Sequence, residues 1–254
     1  MSSSRATSPH SSLAERALVC IPTYNERDNI EAITRAALEA DSRIDVLIVD
    51  DNSPDGTGKL ADELAAKEPR IRVLHRPEKR GLGKAYLHAF REALSLGYAF
   101  VIEMDADFSH DPRCLPAMIN EAERGAHLVL GSRYVRGGGT VNWGLGRRLL
   151  SRGGSLYART ILGVDVADLT GGFKCFRREV LEALDLETID STGYAFQIEM
   201  TYRALQKGFV VKELPIIFED RRVGQSKMSR AIFLEAIVVV WKLRIGGMVR
   251  FSRA

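Results

Sequence analysis

Short apolar runs alternate with segments of helical periodicity through the first half of the chain, and this alternation limits the possible folds most strongly. The runs are bounded by turn residues, as β-strands are, and they lie at residues 17–21, 44–49, 71–74, 98–104 and 127–130. Helices are predicted between them at residues 30–38, about 57–66 and about 84–96. This order favours an α/β fold with a single Rossmann-like, mostly parallel sheet flanked by helices.

The second half is less regular and contains no repeat and no clear linker. We expect a helix near residues 147–162, a turn at 168–172, a strand at 173–176, a helix at 195–207 and a strand at 209–214. A chain of 254 residues suits one domain with a large core. We place this domain at residues 17–229, after a disordered tail at 1–16 that lacks the apolar run of a secretory signal.

Two carboxylates follow the fourth apolar run and are the first candidates for a metal site. Asp105 and Asp107 lie one residue apart, and Ser109 could add a third oxygen. Mg²⁺ takes one or two protein carboxylates and completes its shell with water and substrate phosphates. Alternatively, aspartates here begin helices, as Asp111 before Pro112 is placed to do. Because α/β folds bind ligands where their strands end, metal binding at Asp105 and Asp107 is favoured.

Polar residues also follow the first two apolar runs. Tyr24 could stack on a nucleotide base, and Glu26 and Asp51 could accept hydrogen bonds from a base or a ribose. Each residue taken alone is equally compatible with a polar loop that caps a helix. However, three strands that end in acidic loops at one edge of a sheet favour a shared nucleotide crevice.

No glycine-rich phosphate loop follows the first strand, since neither G-x-x-x-x-G-K-[ST] nor G-x-G-x-x-G occurs there. This absence disfavours a dinucleotide-dependent dehydrogenase. The charge of a diphosphate would then have to be met by a metal and by basic side chains. Arg221 and Lys227, in the segment DRRVGQSK, could close over a diphosphate, although such a segment is also typical of an exposed basic turn.

Arginine is concentrated in the second half of the chain, although the formal net charge is only +3. Arg133 follows the fifth strand and Arg147 begins the next helix, where guanidinium groups would suit bidentate phosphate binding or merely solvate a helix face. Asp168, ahead of a glycine turn, is a candidate general base or a structural residue. The basic residues do not alternate with aromatic ones as in a nucleic-acid stacking platform, so no nucleic acid is expected as a partner.

The C-terminal segment, residues 230–254, is apolar and basic. Glu235 is the only charged residue within 231–241, and Arg230 and Lys242 bound that run. The run is too short to cross a bilayer, which needs about 20 residues. A helix that is apolar nearly all round either lies against a membrane or a membrane partner, or packs inside the protein.

Eight motifs occur in unbroken order between about residues 17 and 229: PTYNE, VDDNSPDGT, GLGKAY, MDADFSH, GSRY, R-x-x-x-S-R-G from Arg147, TGGF, and R-x-x-G-x-S-K from Arg221. Together they resemble those of the dolichol- or polyprenol-phosphate mannosyltransferases of glycosyltransferase family 2. The resemblance implies a GT-A fold, GDP-mannose as donor, Mg²⁺ or Mn²⁺ as cofactor, a polyprenol or dolichol monophosphate as acceptor, and inversion at the anomeric carbon.

Matched position by position, the resemblance gives each candidate residue a role. It implies nucleotide binding by Pro22, Tyr24, Glu26, Val49 and Asp51. It implies contact with the diphosphate and the metal at Asp105, Ala106 and Asp107, with Ser109 where some relatives have Gln. It implies that Arg221 and Lys227 grip the donor and that Arg133 and Arg147 bind the acceptor phosphate.

The implied reaction needs no general base, because a phosphate monoester with a second pKa of about 6 is mostly dianionic at neutral pH. Asp107 and Arg133 are therefore the expected catalytic residues, which act by positioning and by neutralising charge. The alternatives are transfer of glucose from UDP-glucose to the same lipid, a metal-dependent nucleotide-sugar hydrolase, and a noncatalytic binding module.

The resemblance also bears on location, because the family varies at its C-terminus. This chain resembles the members without transmembrane helices. We expect it at the cytoplasmic face of a membrane, bound peripherally to the membrane surface or through an integral-membrane partner.

Overall fold

A seven-stranded sheet forms the centre of the protein in the computed structural model, which describes residues 13–219 and 237–246. The strands in chain order are β1 (Ala17–Thr23), β2 (Ile44–Asp50), β3 (Ile71–His75), β4 (Phe100–Glu103), β5 (Leu128–Ser132), β6 (Gly139–Val141), β7 (Lys174–Arg177), β8 (Val211–Pro215) and β9 (Ile217–Glu219). The central sheet has the order β3-β2-β1-β4-β7-β5-β8, and β6 and β9 pair separately in parallel.

Helices cover both faces of this sheet. They are α1 (Arg27–Ala40), α2 (Thr57–Ala65), α3 (Leu82–Leu96), α4 (Leu115–Glu123), α5 (Leu145–Leu162), α6 (Arg178–Ala183), α7 (Gly193–Gln206) and α8 (residues 237–246). Every strand and helix predicted within the described residues is present, with bounds that differ by a few residues. The order of strands and helices therefore confirms the predicted α/β class.

The sequence interpretation missed α6 and the β6–β9 pair, and it gave α4 no bounds beyond a possible helix start at Asp111. For α4 the signal was present, because its four buried apolar residues repeat with the spacing of an amphipathic helix: Leu115, Met118, Ile119 and Ala122. Asp111 caps the short turn before α4, where its carboxylate accepts a hydrogen bond from the backbone N–H of Arg113 at 2.9 Å. The alternative interpretation, a helix-starting aspartate, is thus confirmed for Asp111.

Strand β7 runs antiparallel to both of its neighbours, which the local sequence pattern did not predict. Lys174 lies opposite Glu103 of β4 on one side and opposite Leu130 of β5 on the other. Two antiparallel pairings in succession make β5 parallel to β4. The loop after β5 therefore emerges at the same edge of the sheet as the loop after β4.

Two hydrophobic cores enclose the central sheet, one on each face. On β1, Leu18 and Cys20 belong to the core that packs α3, α5 and α7. Val19 and Ile21 point to the opposite core, which packs α1 and α4. Because both faces of the sheet are buried, its inner strands are continuously apolar rather than alternating.

The predicted disordered tail at residues 1–16 is too long at its C-terminal end. Leu13–Glu15 form a single 3-10 turn, and the guanidinium of Arg16 donates to the carboxylate of Asp45 at 2.9 Å. The backbone carbonyl of Arg16 also accepts from the N–H of Ala99 at 3.2 Å. These contacts order residues 13–16, whereas residues 1–12 lie outside the described residues.

The C-terminal segment is described only over α8. Val240 is buried in the same core as Ala158 and Leu162 of α5, whereas Val238 and Trp241 are about half exposed. The interpretation as a packed helix therefore holds for one face of α8 only. None of the described helices is long and apolar enough to span a bilayer.

Candidate active site

The first, second and fourth strands end side by side, as the sequence predicted. In the sheet, β1 lies between β2 and β4 and is parallel to both. Beyond the strands, the N–H of Asp51 donates to the carbonyl of Thr23 at 3.1 Å, and the N–H of Met104 donates to that of Cys20 at 3.1 Å. The three acidic loops therefore share one edge and can form one crevice.

The turn that carries Asp105 and Asp107 is fixed by its own hydrogen bonds. The backbone N–H of Asp105 donates to the His110 ring at 3.0 Å. The carboxylate of Asp107 accepts from the N–H of Ser109 at 3.1 Å. Between them, Phe108 takes a left-handed conformation with φ +62°, which is uncommon for a non-glycine residue and marks a tightly specified turn.

The donor groups at this turn fit a hard divalent cation. Asp107 is buried and Asp105 half-buried, while Ala106 is packed in the core behind them. The hydroxyl of Ser109 is buried and makes no hydrogen bond to any residue of the described ranges. Those ranges contain no group of three or more His, Cys, Asp and Glu side chains that could hold a metal alone, so phosphate or water oxygens would have to complete the shell.

His110 belongs to this turn. Its ring is buried and stacks on Phe173 with centroids 4.8 Å apart. Burial lowers the pKa of His110, and the charges of Asp105 and Asp107 oppose that effect. The neutral ring accepts the Asp105 N–H at Nδ1, so its proton resides on Nε2. His110 is thus a positioning residue for the acidic turn.

Asp51 forms a buried ion pair at the end of β2. One carboxylate oxygen lies 2.6 Å from a guanidinium nitrogen of Arg76, and both side chains are almost fully buried. Burial raises the pKa of Asp51, while the charge of Arg76 acts in the opposite direction. The sequence interpretation missed Arg76, which fixes the orientation in which Asp51 can meet a ligand.

Tyr24 and Glu26 lie in the loop after β1. The ammonium of Lys79 sits 3.9 Å from the centroid of the Tyr24 ring, on one of its two faces. The carboxylate of Glu26 accepts from the side-chain amide of Asn29 at 3.0 Å, and its N–H donates to Thr57 at 3.0 Å. The contact with Asn29 joins the loop to α1, and the contact with Thr57 joins it to the start of α2.

Pro22 and Val49 are paired residues of β1 and β2. Val49 is fully buried in the core, so only its backbone is placed to meet a nucleotide. Arg221 and Lys227 lie outside the described residues.

Arg133 is held by a buried carboxylate rather than left open to solvent. Two of its guanidinium nitrogens each lie 2.7 Å from an oxygen of Asp168, and one also donates to Thr170 at 2.9 Å. Burial acts to raise the pKa of Asp168, but the charge and hydrogen bonds of Arg133 outweigh it and lower that pKa. Asp168 is therefore a fixed partner of Arg133, as expected for the structural alternative rather than for a general base.

Arg147 and Arg133 both lie near the ring of Trp143. The guanidinium carbon of Arg147 is 4.1 Å from the Trp143 ring centroid, and that of Arg133 is 5.5 Å from the same centroid. Tyr134 and Phe218 complete the aromatic surroundings of Arg133. The two predicted phosphate-binding arginines are thus brought together at one place.

The acidic turn and the arginine pair occupy one edge of the sheet. Only β7 separates the strand before Asp105 from the strand before Arg133, which corresponds to about 10 Å across two strand spacings. The charges of Asp105, Asp107, Arg133 and Asp168 all act on the pKa of the His110 ring, which is therefore near both groups. This arrangement can hold two anions close together.

A second charge pair lies buried beneath the acidic turn and was missed from sequence. Glu103 and Lys174 face each other across β4 and β7, and both are fully buried. The ammonium of Lys174 donates to the carbonyl of Gln197 on α7 at 2.6 Å. Burial raises the pKa of Glu103 to about 7, against the opposing charge of Lys174. The hydrogen bond from Lys174 ties β7 to α7 below the site, while both carboxylate oxygens of Glu103 are buried without a hydrogen-bond partner among the described residues.

Replacing Lys174 by methionine should destabilise the protein by about 1–3 kcal/mol, because it removes the hydrogen bond to Gln197 and the cation that faces Glu103, which then has to take up a proton. For a chain of this size we expect the melting temperature to fall by about 5 °C. Thermal unfolding followed by circular dichroism measures the change. In the double variant Lys174→Met with Glu103→Gln no buried charge remains unpaired, and much of the loss should be recovered. A single variant as stable as the wild type would contradict this account.

Comparison with known proteins identifies the family. The sequence model of glycosyl transferase family 2 matches residues 18–185, which is more than half of the chain. The chain is 48% identical over 233 residues to the polyprenol monophosphomannose synthase of Mycolicibacterium smegmatis, covering 91% of this chain and 88% of that protein. It is also 48% identical over 225 residues to the undecaprenyl-phosphate mannosyltransferase of Micrococcus luteus, covering 89% and 92%.

Solved structures confirm the GT-A fold. Glucosyl-3-phosphoglycerate synthase of Mycobacterium tuberculosis, in complex with Mn²⁺, UDP and phosphoglyceric acid, superposes with a TM-score of 0.68 at 18% identity, covering 92% of this chain and 81% of that one. The same enzyme with Mn²⁺, UDP-glucose and phosphoglyceric acid gives a TM-score of 0.62. With two relatives at 48% identity and the family match over most of the sheet, the chain belongs to glycosyl transferase family 2 and is a glycosyltransferase.

Proposed function

We propose that this protein transfers mannose from GDP-mannose to a polyprenol or dolichol monophosphate, with a divalent metal and with inversion at the anomeric carbon. The observation that carries the proposal is that Asp105 and Asp107 share one sheet edge with the Arg133–Asp168 pair, one strand apart. Two relatives, a polyprenol monophosphomannose synthase and an undecaprenyl-phosphate mannosyltransferase, suggest the sugar and the acceptor class.

On the donor side, the crevice provides a place for a nucleotide diphosphate. Tyr24 would stack on the base, while Glu26 and Asp51 would accept hydrogen bonds from base or ribose. Asp105 and Asp107, with the buried hydroxyl of Ser109, would hold Mg²⁺ or Mn²⁺, and a solved neighbour of the same fold contains Mn²⁺. When bound there, the ion supplies positive charge to the leaving diphosphate.

Arg221 and Lys227 would add further positive charge over the donor diphosphate, as basic side chains do where no glycine cradle is present. Pro22, Val49 and Ala106 would contribute mainly backbone, since Val49 and Ala106 are buried. With its base and its diphosphate both held, the donor would present the C1 atom of its sugar toward Arg133 and Arg147.

On the acceptor side, Arg133 and Arg147 would bind the lipid phosphate. Asp168 holds the Arg133 guanidinium in a fixed plane, which removes most of the entropic cost of ordering that long side chain. The arginines also offset the repulsion between the phosphate and the donor diphosphate. No general base is required, which agrees with the finding that Asp168 is committed to Arg133.

The proposed step is a single displacement. A phosphate oxygen of the acceptor forms a bond to sugar C1 while the bond from C1 to the diphosphate oxygen breaks. The electron pair of that bond leaves with GDP, and no proton has to move because the acceptor is already ionised. Attack from the side opposite the leaving group inverts the anomeric carbon.

The transfer assay that tests this proposal follows radiolabelled mannose into an organic phase. Purified protein is incubated with Mg²⁺ and labelled GDP-mannose, with and without polyprenol phosphate. We expect label in the organic phase only when the lipid is present. Label that appears only from UDP-glucose would instead favour the glucosyltransferase, and free sugar released without lipid would favour the hydrolase.

Tyr24 provides a test of the donor site that leaves the acidic turn intact. Tyr24→Ala should weaken GDP binding in the presence of Mg²⁺ by about tenfold, because stacking of a base on an aromatic ring contributes about 1–3 kcal/mol. Tyr24→Phe keeps the ring and should bind GDP within about twofold of the wild type. Isothermal titration calorimetry measures both. Equal affinities for the Ala variant and the wild type would exclude Tyr24 from the base site.

We also propose that the protein acts peripherally at the cytoplasmic face of a membrane, either on the lipid surface or with an integral-membrane partner. A polyprenol chain resides in a bilayer, so an enzyme that uses its phosphate must work at the interface. The nucleotide sugar, in contrast, is a water-soluble substrate. Both requirements are met where a crevice open to water adjoins a lipid surface.

A further inference from the structure

Glu213 on β8 holds the start of the turn that contains Asp168. Its two carboxylate oxygens accept hydrogen bonds from two successive backbone N–H groups, that of Ala167 at 2.8 Å and that of Asp168 at 3.0 Å. Neither N–H group donates to a backbone carbonyl in the part of the chain that the structure describes. Because hydrogen bonds to an ionised carboxylate are among the stronger ones in proteins, Glu213 fixes the backbone from which the Asp168 side chain extends.

The Asp168 carboxylate in turn determines where the Arg133 guanidinium points. Besides the two contacts to guanidinium nitrogens described above, it accepts from the backbone N–H of Arg133 at 3.0 Å. An arginine has five N–H donors, and Asp168 and Thr170 together take those of Nε and Nη2. Within the described ranges this leaves the two donors on Nη1 to meet a ligand, and their direction depends on the position of Asp168.

Two paired strands carry the ends of this chain of contacts. Glu213 lies opposite Leu130 in the parallel register of β8 and β5, and Arg133 follows β5 directly. The contacts that run from Glu213 through Asp168 to Arg133 therefore start and end on neighbouring strands. A closed set of contacts on a rigid sheet restricts the movement of Asp168 more than a single ion pair would.

The end of the same turn is held by different contacts. A Cβ atom at Gly171 would lie 3.3 Å from a backbone carbonyl oxygen of β5 and 3.5 Å from the carboxyl carbon of Asp168. The Thr170 hydroxyl contacts the Ser155 hydroxyl of α5 at 3.1 Å. Close packing and one hydroxyl contact thus hold the end of the turn, whereas Glu213 supplies the hydrogen bonds at its start. Loss of Glu213 should therefore loosen Asp168 without unfolding the whole turn.

We infer that Glu213 is a positioning residue for the acceptor phosphate and acts through Asp168 and Arg133. The inference rests on the proposed function, because it takes Arg133 as a residue that binds this phosphate. If the Arg133 guanidinium is aimed correctly for only a fraction of the time, the apparent affinity for the phosphate falls in proportion to that fraction. By holding the backbone of Asp168, Glu213 keeps that fraction high.

Steady-state kinetics at varied polyprenol phosphate concentration test the inference on the full chain. In Glu213→Ala the KM for the acceptor should rise by about tenfold, while kcat should change by less than about threefold, because a bound phosphate selects the competent orientation of Arg133. The affinity for GDP with Mg²⁺ should stay within about twofold of the wild type. Glu213→Gln keeps one acceptor oxygen and should raise the KM for the acceptor by about threefold.

Nuclear magnetic resonance reports on Arg133 without any substrate. Its buried Nε–H donates to Asp168 at 2.7 Å and should exchange slowly with water, and its signal is assigned by its absence in Arg133→Lys. In Glu213→Ala this exchange should be at least about tenfold faster. The matched control is Glu121→Ala, which removes a carboxylate that pairs with Lys212 on β8 and should leave both the exchange rate and the acceptor KM unchanged.

The inference is overturned if both Glu213 variants keep an acceptor KM and an Arg133 exchange rate within about twofold of the wild type, even where thermal unfolding shows a loss of stability. It is also overturned if the affinity for GDP falls as much as the acceptor KM rises, since that indicates a general disturbance of the site. If Glu213→Ala does not fold, the glutamine variant decides between these outcomes. An Arg133 signal that depends on Glu213, in a protein that transfers sugar to no lipid phosphate, would support the positioning of Arg133 while contradicting the proposed function.

Discussion

Replacing Asp107 by alanine should lower the rate of sugar transfer by about 1000-fold or more, because it removes a charged ligand from the turn that would hold the cation and the leaving diphosphate. Asp107 is almost fully buried, so bulk solvent cannot replace its charge. Steady-state kinetics with GDP-mannose and polyprenol phosphate measure the effect. We expect excess Mg²⁺ or Mn²⁺ to restore little of the rate.

Two variants separate the charge of Asp107 from its structural contact. Asp107→Asn can still accept the hydrogen bond from the Ser109 N–H but lacks the negative charge, and it should be nearly as inactive as the alanine variant. Asp111→Asn, a nearby carboxylate that caps the following turn, should retain most of the activity. An alanine variant with a rate within tenfold of the wild type would contradict the assignment of Asp107.

Replacing Arg133 by alanine should reduce kcat/KM for the acceptor by about 100-fold or more, because a guanidinium aimed at a phosphate contributes a strong, charge-assisted contact. The affinity for GDP should change little. The substitution also leaves Asp168 buried without a cation, which should cost about 3–5 kcal/mol of stability. Steady-state kinetics at varied acceptor concentration measure kcat/KM, calorimetry measures the affinity for GDP, and thermal unfolding measures stability. All three use the same protein preparation.

The stability cost has to be separated from the loss of acceptor binding. In the double variant Arg133→Gln with Asp168→Asn, the buried charges are gone and much of the stability should return. Its use of the acceptor should remain poor, since no guanidinium is present. A defect confined to donor binding, or a double variant with restored acceptor use, would refute the role of Arg133.

The strand ends at the active edge were predictable because they depend on local signals. Each apolar run stops where its strand reaches the surface, and a parallel sheet places such ends together. The positions of Asp51, Asp105 and Arg133 at one edge therefore followed from the sequence. Taken alone, the motifs did not decide whether these residues bind a ligand or cap a helix. The family resemblance supplied their expected roles.

The partners of these residues were not predictable, because they come from distant parts of the chain. Asp168 is 35 residues from Arg133, and Arg76 is 25 residues from Asp51. Nothing in the local pattern around Asp168 distinguishes a buried counter-ion from a general base. The burial of Lys174 was not predictable for the same reason, since Glu103, which faces it, lies on another strand that runs in the opposite direction.

The central claim is that a cation at Asp105 and Asp107 holds a sugar nucleotide beside the Arg133 pocket that receives a lipid phosphate. The most direct test is a crystal structure of the protein with Mn²⁺, GDP and a short-chain polyprenyl phosphate, in which anomalous scattering locates the metal. We expect an anomalous peak about 2.1 Å from a carboxylate oxygen of Asp105 or Asp107 and the acceptor phosphate within hydrogen-bond distance of the Arg133 guanidinium. A metal bound away from these carboxylates, or an acceptor phosphate remote from Arg133, would contradict it.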